Sequence, residues 1–376
     1  MENTLAKKVQ ETFDHLHANA EISWEEVETT HYLQQLLEQH GCTTETFDDC
    51  TGVIGRYGNF DKGLPVVGIR ADIDALWQEV NGEFQANHSC GHDAHMAMVL
   101  GVLWKLEENP ELADQIAVKF VFQPAEEKGE GALKLVDKGA MDDVDYFYGV
   151  HLRPVQETAV GYASPVIVHG AAKVVTGVIN GDDAHGARPH LTNNAIEIGA
   201  QIVNMLNQIH LDPLQPHSVK MTAFHAGGKS ANIIPGKATF SLDMRAQTNE
   251  LMAQLTEKVQ KIFETIQSQH AIEIETSFGE GIAAAEKDQD AIDIMTEAIV
   301  AVLGEDKLKE PLITTGGDDF HFYKIKKPEL KATMLGLGCG LAPGLHHPNM
   351  SFNHDSMMDG VNILHEAILK TYGLQN

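Results

Sequence analysis

Between residues 52 and 151 the sequence alternates short β-rich segments with helical stretches, and that alternation rules out most folds. Residues 52–57, 66–69, 116–122 and 145–150 read as strands, and 94–106 reads as a buried helix between them. A further helix is expected after Pro124. Upstream, Leu5, Val9, Phe13 and Leu16 fall at helical spacing over 4–17, and a second helix is predicted over 24–40. Strands separated by helices predict an α/β fold with a largely parallel sheet covered on both faces. In such sheets the chemistry collects at the carboxyl ends of the strands. Asp72, Glu126, Glu127 and His151 are predicted at such ends, and Pro124 stops one strand just before the two glutamates.

The middle of the chain has a different rhythm. Residues 171–179, 218–224, 238–245 and 271–278 read as strands, and 193–210 and 249–269 as helices. A β-α-β-β-α-β order is the split ferredoxin-like unit. It is expected as an inserted α+β domain over 166–280. The larger domain would then be discontinuous, formed by 1–165 and 281–376. It resumes with a helix over 289–303, a strand over 332–337 and a C-terminal helix ending near residue 372.

Composition removes several classes of function. The 54 acidic residues outnumber 27 basic ones, for a formal net charge of -27, and the basic residues form no block. This argues against nucleic acid and against an anionic membrane surface as partners. No apolar run approaches the roughly 20 residues of a membrane span. Residues 1–10 show no apolar core followed by a cleavage site, so no secretory leader is expected. Four scattered cysteines, Cys42, Cys50, Cys90 and Cys339, do not make a disulfide framework. Together these features predict a reduced, cytoplasmic protein.

The run His88-Ser89-Cys90-Gly91-His92-Asp93-Ala94-His95 places one thiol, three imidazoles and a carboxylate within eight positions. Soft and borderline ligands crowded in this way point to a transition metal. Two neighbouring ions need a bridging anion and several terminal imidazoles or carboxylates. Cys90 can supply a thiolate, with His92 two residues away. Of the adjacent Glu126 and Glu127, one can bind metal while the other faces the attacking water. Asp72 or Asp74 can hold a ligating histidine from behind. Read singly, each feature has a plainer explanation. A lone Cys-x-His pair is more often structural, a Glu-Glu pair after a strand is usually a solvated helix start, and a single histidine is usually a buried or capping one. Their common placement at the strand ends of one sheet favours a metal centre.

Over its whole length the chain resembles the dinuclear metallohydrolases that include the aminoacylases and carboxypeptidase G. Within them it is most similar to the amidohydrolase branch of hippurate hydrolases, auxin–amino acid conjugate hydrolases and N-acetyldiaminopimelate deacetylases. The resemblance rests on Arg-Ala-Asp-x-Asp-Ala-Leu at 70–76, His-x-Cys-Gly-His-Asp-x-His at 88–95, Pro-x-Glu-Glu at 124–127, His151, and Leu-His-x-Pro at 345–348. It implies a zinc-exopeptidase-like catalytic domain in which Cys90, His92, Glu127, His151 and His346 bind two divalent metal ions. Zinc or manganese is expected, with cobalt and nickel as alternatives. Glu126 would be the general base. In the inserted domain, the pattern at 185–190 makes His185 a holder of the oxyanion, often across a dimer, and Asn232 and Arg245 holders of the substrate carboxylate. His88, Asp93 and His95 are read as supporting residues. The branch pattern is broken at Trp77, where proline is usual, at Leu242-Asp243-Met244-Arg245, where Gly-Thr-x-Arg is usual, and at Asp318, where glutamate is usual.

The resemblance implies a cytoplasmic amidohydrolase acting on a small N-acyl amino acid or peptide substrate. It also implies an inserted domain that serves as lid and homodimer contact. A dipeptidase or carboxypeptidase on the same scaffold, or a catalytically silent binding protein, are the alternative readings.

Overall fold

The computed structural model describes residues 2–374, and the chain divides into two compact units. The first runs through Val168, continues over Glu286–Ile313 and resumes at Asp319. The second comprises His169–Ala285 and Thr314–Asp318.

The first unit is built on a seven-stranded sheet. In spatial order its strands are Thr43–Thr46, Val53–Gly58, Ala117–Gln123, Val67–Asp72, Tyr146–Pro154, Lys331–Leu341 and Ala163–Ser164. The four central strands, from Ala117–Gln123 to Lys331–Leu341, are parallel. The flanking strands join them antiparallel. Sheets covered on both faces need continuous apolar strands, and Val67–Asp72 and Ala117–Gln123 are buried at every position. One face packs the helices Glu2–Ala18, His92–Glu107, Gln289–Leu303 and Ser356–Thr371 through Phe120, Phe122, Tyr148 and Val150. The other packs Gly131–Asp137 and His321–Lys326 through Val121, Phe147 and Met334. The helix His92–Glu107 is buried on almost every side, from His92 to Leu106. A helix apolar all round belongs in a core. It starts at Gly91, whose φ of 87° suits a residue without a side chain.

Two details depart from the sequence reading. The strand carrying His151 continues to Pro154, so His151 lies within it, opposite Gly336 of the neighbouring strand. A hairpin, Leu76–Val80 with Glu83–Asn87, interrupts the stretch between Asp74 and the cysteine run. Its turn is Asn81-Gly82, with φ of 55° and 92°. Asn-Gly between extended segments is a strong two-residue hairpin signal.

The second unit holds a four-stranded antiparallel sheet in the order His217–Ala226, Ala238–Ala246, Ala171–Asn180, Glu273–Phe278. This is the ferredoxin-like order expected from the sequence. Helices Ala195–Leu206 and Asn249–His270 cover one face, packing Ile198, Ile202, Leu255 and Val259 on Val175, Phe240, Leu242 and Met244. Asn194 and Thr248 cap their N-termini through side-chain oxygens. The opposite face carries Val174, Thr176, Ser241, Asp243 and Arg245, and among the described residues of this unit no helix packs on it.

Candidate active site and metal centre

The ends of the central strands in the first unit converge on one cluster. Asp74 organises it. Its Oδ1 accepts from the Glu126 amide at 3.1 Å and its Oδ2 from the Glu127 amide at 3.0 Å and the Ser23 hydroxyl at 2.6 Å. One buried carboxylate thus fixes the short 3-10 turn Glu126–Lys128. Ala125, just before it, sits at φ 51° and donates its amide to Glu26 Oε1 at 2.9 Å. Left-handed backbone at a non-glycine residue persists only where its surroundings hold it.

The histidine tautomers follow from their partners. His92 donates Nδ1–H to the Asp74 carbonyl at 2.8 Å, which makes Nε2 the nitrogen able to ligate once it has shed its proton. That Nε2 is buried and makes no hydrogen bond. It lies 3.5 Å from Asp72 Oδ2 and 3.9 Å from both Glu126 Oε2 and Glu127 Oε1. His151 donates Nδ1–H to the Leu152 carbonyl at 2.7 Å and turns Nε2 to Cys90 Sγ at 3.6 Å. His95 has no lone pair to offer. Its Nε2 accepts from the Leu152 amide at 3.0 Å and its Nδ1–H goes to Asp72 Oδ1 at 2.7 Å. His346 presents Nε2 to Glu127 Oε1 at 3.4 Å. Its φ of 62° is held by a bond from its amide to Ser89 O and by Gln78 Nε2 on its own carbonyl. The neighbouring His347 turns Nδ1 to the Asn349 amide instead.

Cys90, His92 and His151 form one trio with ligand atoms close enough to share an ion, and Cys90, Glu127 and His346 form another. Cys90 belongs to both. Glu126 joins His92 and Glu127 but neither trio built on the thiol. The orphaned His92 Nε2, the acceptor-only Glu127 Oε1 without a hydrogen bond and the shared sulfur fit a pair of thiophilic divalent cations.

Electrostatics are tuned from behind. Burial alone would favour a neutral Asp72, but Arg70 first, then His92 and His95, hold it well below the usual carboxylate range. Burial opposes a charge on His92, yet Asp72, then Cys90 and the Asp74 contact, raise it well above its usual value, so a cation would displace its Nε2 proton to bind there. Burial, aided by His95 and Arg153, lowers His151 and keeps it neutral. Burial, with the charge of Glu127, pushes the Cys90 thiol up to about 12. Arg70 is fully buried and spans Asp72 at 2.7 Å, Asp319 at 3.0 Å and Gln123 Oε1 at 3.0 Å. Gln123 returns its amide to Asp319, and Tyr323 donates to Gln123.

In the second unit, a short ladder pairs Ala184 with Ile234 and His185 with Ile233, Asn232 lies just before it, and the Gly186 amide donates to Asn232 O at 2.7 Å. His185 Nδ1 accepts from the Ala187 amide at 3.0 Å, so its proton is on Nε2. Arg245 is half-exposed and bonded to Asp243 on its own strand.

The sequence reading missed Ser23, Glu26, Gln78 and Gln123, which act only through contacts made by the fold. Gln78 alone had a nearby signal, the Asn-Gly turn of its hairpin.

Comparisons with known proteins give the family of the chain. A profile of peptidase family M20/M25/M40 matches residues 68–370. The N-acetyldiaminopimelate deacetylase of Lactiplantibacillus plantarum is 30% identical over 94% of this chain and 94% of its own. The N-acyl-L-amino acid amidohydrolase of Geobacillus stearothermophilus is 34% identical over 71% of this chain and 74% of its own. Among solved structures, the Bacillus subtilis YXEP protein, described as a dinuclear metal binding peptidase from the M20 family, superposes with a TM-score of 0.82. It is 25% identical, with 98% of each chain covered. Matched over most of its length, the chain belongs to peptidase family M20/M25/M40.

Proposed function

We propose that the protein is a metal-dependent amidohydrolase that cleaves an N-acyl amino acid, or a small peptide-like amide, to a carboxylic acid and a free amine. The observation that carries this reading is the thiol shared by two ligand trios with a second glutamate beside them and outside both. Cys90, His92, Glu127, His151 and His346 hold two divalent ions, zinc or manganese, with cobalt and nickel as alternatives. When bound, such ions polarise the scissile carbonyl and lower the pKa of water. Glu126 takes the proton of the attacking water and delivers it to the leaving nitrogen. His185 donates Nε2–H to the developing oxyanion. Asn232 and Arg245 hold the substrate carboxylate, for which a guanidinium offers a planar fork. The smaller unit serves as lid and as the contact of a homodimer, and the enzyme works in the cytoplasm.

The test is a panel of N-acetyl amino acids and dipeptides offered to protein stripped by chelator and reloaded with zinc, manganese, cobalt or nickel. Turnover of acyl amino acids that depends on the metal is expected. Faster hydrolysis of dipeptides would make it a peptidase. No hydrolysis with two ions bound would make it a binding protein.

A further inference from the structure

Along Ala238–Ala246 the residues alternate. Phe240, Leu242 and Met244 enter the core, while Ser241, Asp243 and Arg245 stand on the uncovered face of the sheet. Asp243 and Arg245 are therefore neighbours on one face. Arg245 Nε donates to Asp243 Oδ1 and Oδ2 at 3.2 and 3.0 Å, and Nη2 donates to Oδ1 at 3.0 Å. One whole edge of the guanidinium is occupied. Lys220 lies directly across from Asp243, but its ammonium is drawn to Asn207 Oδ1 at 3.0 Å. On its other side Arg245 borders a cavity of about 190 Å³ with His217, Ser218, Gln247 and Thr315, and no carboxylate lines that cavity.

We propose that Asp243 is a specificity-determining residue: it competes with the substrate's carboxylate for Arg245 and makes the enzyme tolerant of substrates whose carboxylate is amidated. This rests on the reading of Arg245 as the residue that receives the carboxylate. The side chains of the pair are 46% and 33% exposed, so it is weak enough to open. An incoming carboxylate meets the remaining edge of the guanidinium and must sit there beside the charge of Asp243. An amide accepts a single bond from the free edge and leaves the pair closed.

The experiment uses the metal-loaded enzyme, the N-acetyl amino acid turned over fastest and its carboxamide. Asp243→Asn keeps the shape and removes the charge. It is expected to lower KM for the acid about 1.5-fold to fivefold, the scale of an exposed ion pair, and to leave the amide unchanged. The effect should vanish when Arg245→Ala is added, as a double-mutant cycle requires of directly coupled groups. An unchanged acid-to-amide ratio in Asp243→Asn, where Arg245→Ala alone does alter that ratio, would overturn the role of Asp243 and leave Arg245 in place. If Arg245→Ala leaves the ratio unchanged, the reading of Arg245 falls and this inference falls with it. Asp243→Ala, judged by the same ratio, guards against an asparagine that still grips the guanidinium.

Discussion

A thiol that holds its proton up to about 12 can ligate only if the incoming cation displaces that proton. Metal affinity should therefore rise with pH, by about tenfold per pH unit for each proton released. Titration of the stripped protein with zinc at pH 6, 7 and 8 reads this directly, and a flat affinity would mean that Cys90 stays a thiol. Cys90→Ala should lose at least one ion by elemental analysis. The same change at Cys339, buried in the core of the sheet, should lose none. Glu126→Gln should retain both ions and lose about 100- to 10,000-fold in turnover, the usual worth of a general base. Near-normal turnover by that loaded variant would place the base elsewhere. These residues were legible in the sequence because each sits in a short contiguous pattern. His346 was chosen over His347 by its Leu-His-x-Pro setting, and its left-handed backbone, at φ 62°, is seen only in the fold. Arg70 was legible as a letter in a motif, but its bridge from Asp72 to Asp319 joins residues far apart in the chain, which no local spacing encodes.

The turn that follows the strand Ala117–Gln123 is held by several long-range contacts, and it fails in predictable ways. A Cβ at Gly131 would meet the Pro124 carbonyl oxygen at 1.6 Å. Gly131→Ala must push that carbonyl away and drag Ala125 and Glu126 with it. A lower Tm and a fall in kcat of at least tenfold are expected, on the scale of a misplaced catalytic group. Glu26 pins the same turn from below. Its carboxyl is fully buried with Thr51 and the Ala125 amide. Burial raises its pKa from 4.5 to about 7, with Asp74 adding to the effect. The folded protein therefore binds this proton more tightly than the unfolded chain does. The stabilisation is complete below about pH 4.5 and is lost as pH rises through about 7. It is worth roughly 3 kcal/mol. Between pH 5 and 8 the wild-type Tm should fall more than that of Glu26→Gln, and parallel curves would refute the assignment. The strands and long helices were readable from periodicity. This turn was not, because its conformation is set by Glu26 and Asp74, which lie in other elements.

At the scale of the molecule the net charge of -27 dominates. An N-acyl amino acid is an anion, so at low salt the protein repels its own proposed substrate. Raising ionic strength from about 10 to about 150 mM shortens the screening length to about 8 Å. It should raise kcat/KM for the acid and leave that for its carboxamide unchanged. A fall for the acid would mean that a local cation steers it at long range. The α/β class and the ferredoxin-like order were both legible, since each needs only the sequence of strands and helices. The antiparallel edges of the large sheet were not, because strand direction at an edge depends on which neighbour is already in place.

The overlapping trios carry one more consequence, for the order in which the site is made. Cys90, His92 and His151 are all synthesised before the chain is half complete, whereas the second trio waits for His346. His346 is fixed in turn by Ser89 and Gln78, more than 250 residues earlier in the chain. On the proposed ligand set, a nascent chain would offer one metal berth early, and the second only once the segment carrying His346 has folded back. Occupancy of that second berth would certify that the segment around His346 has met the one around Gln78 and Ser89.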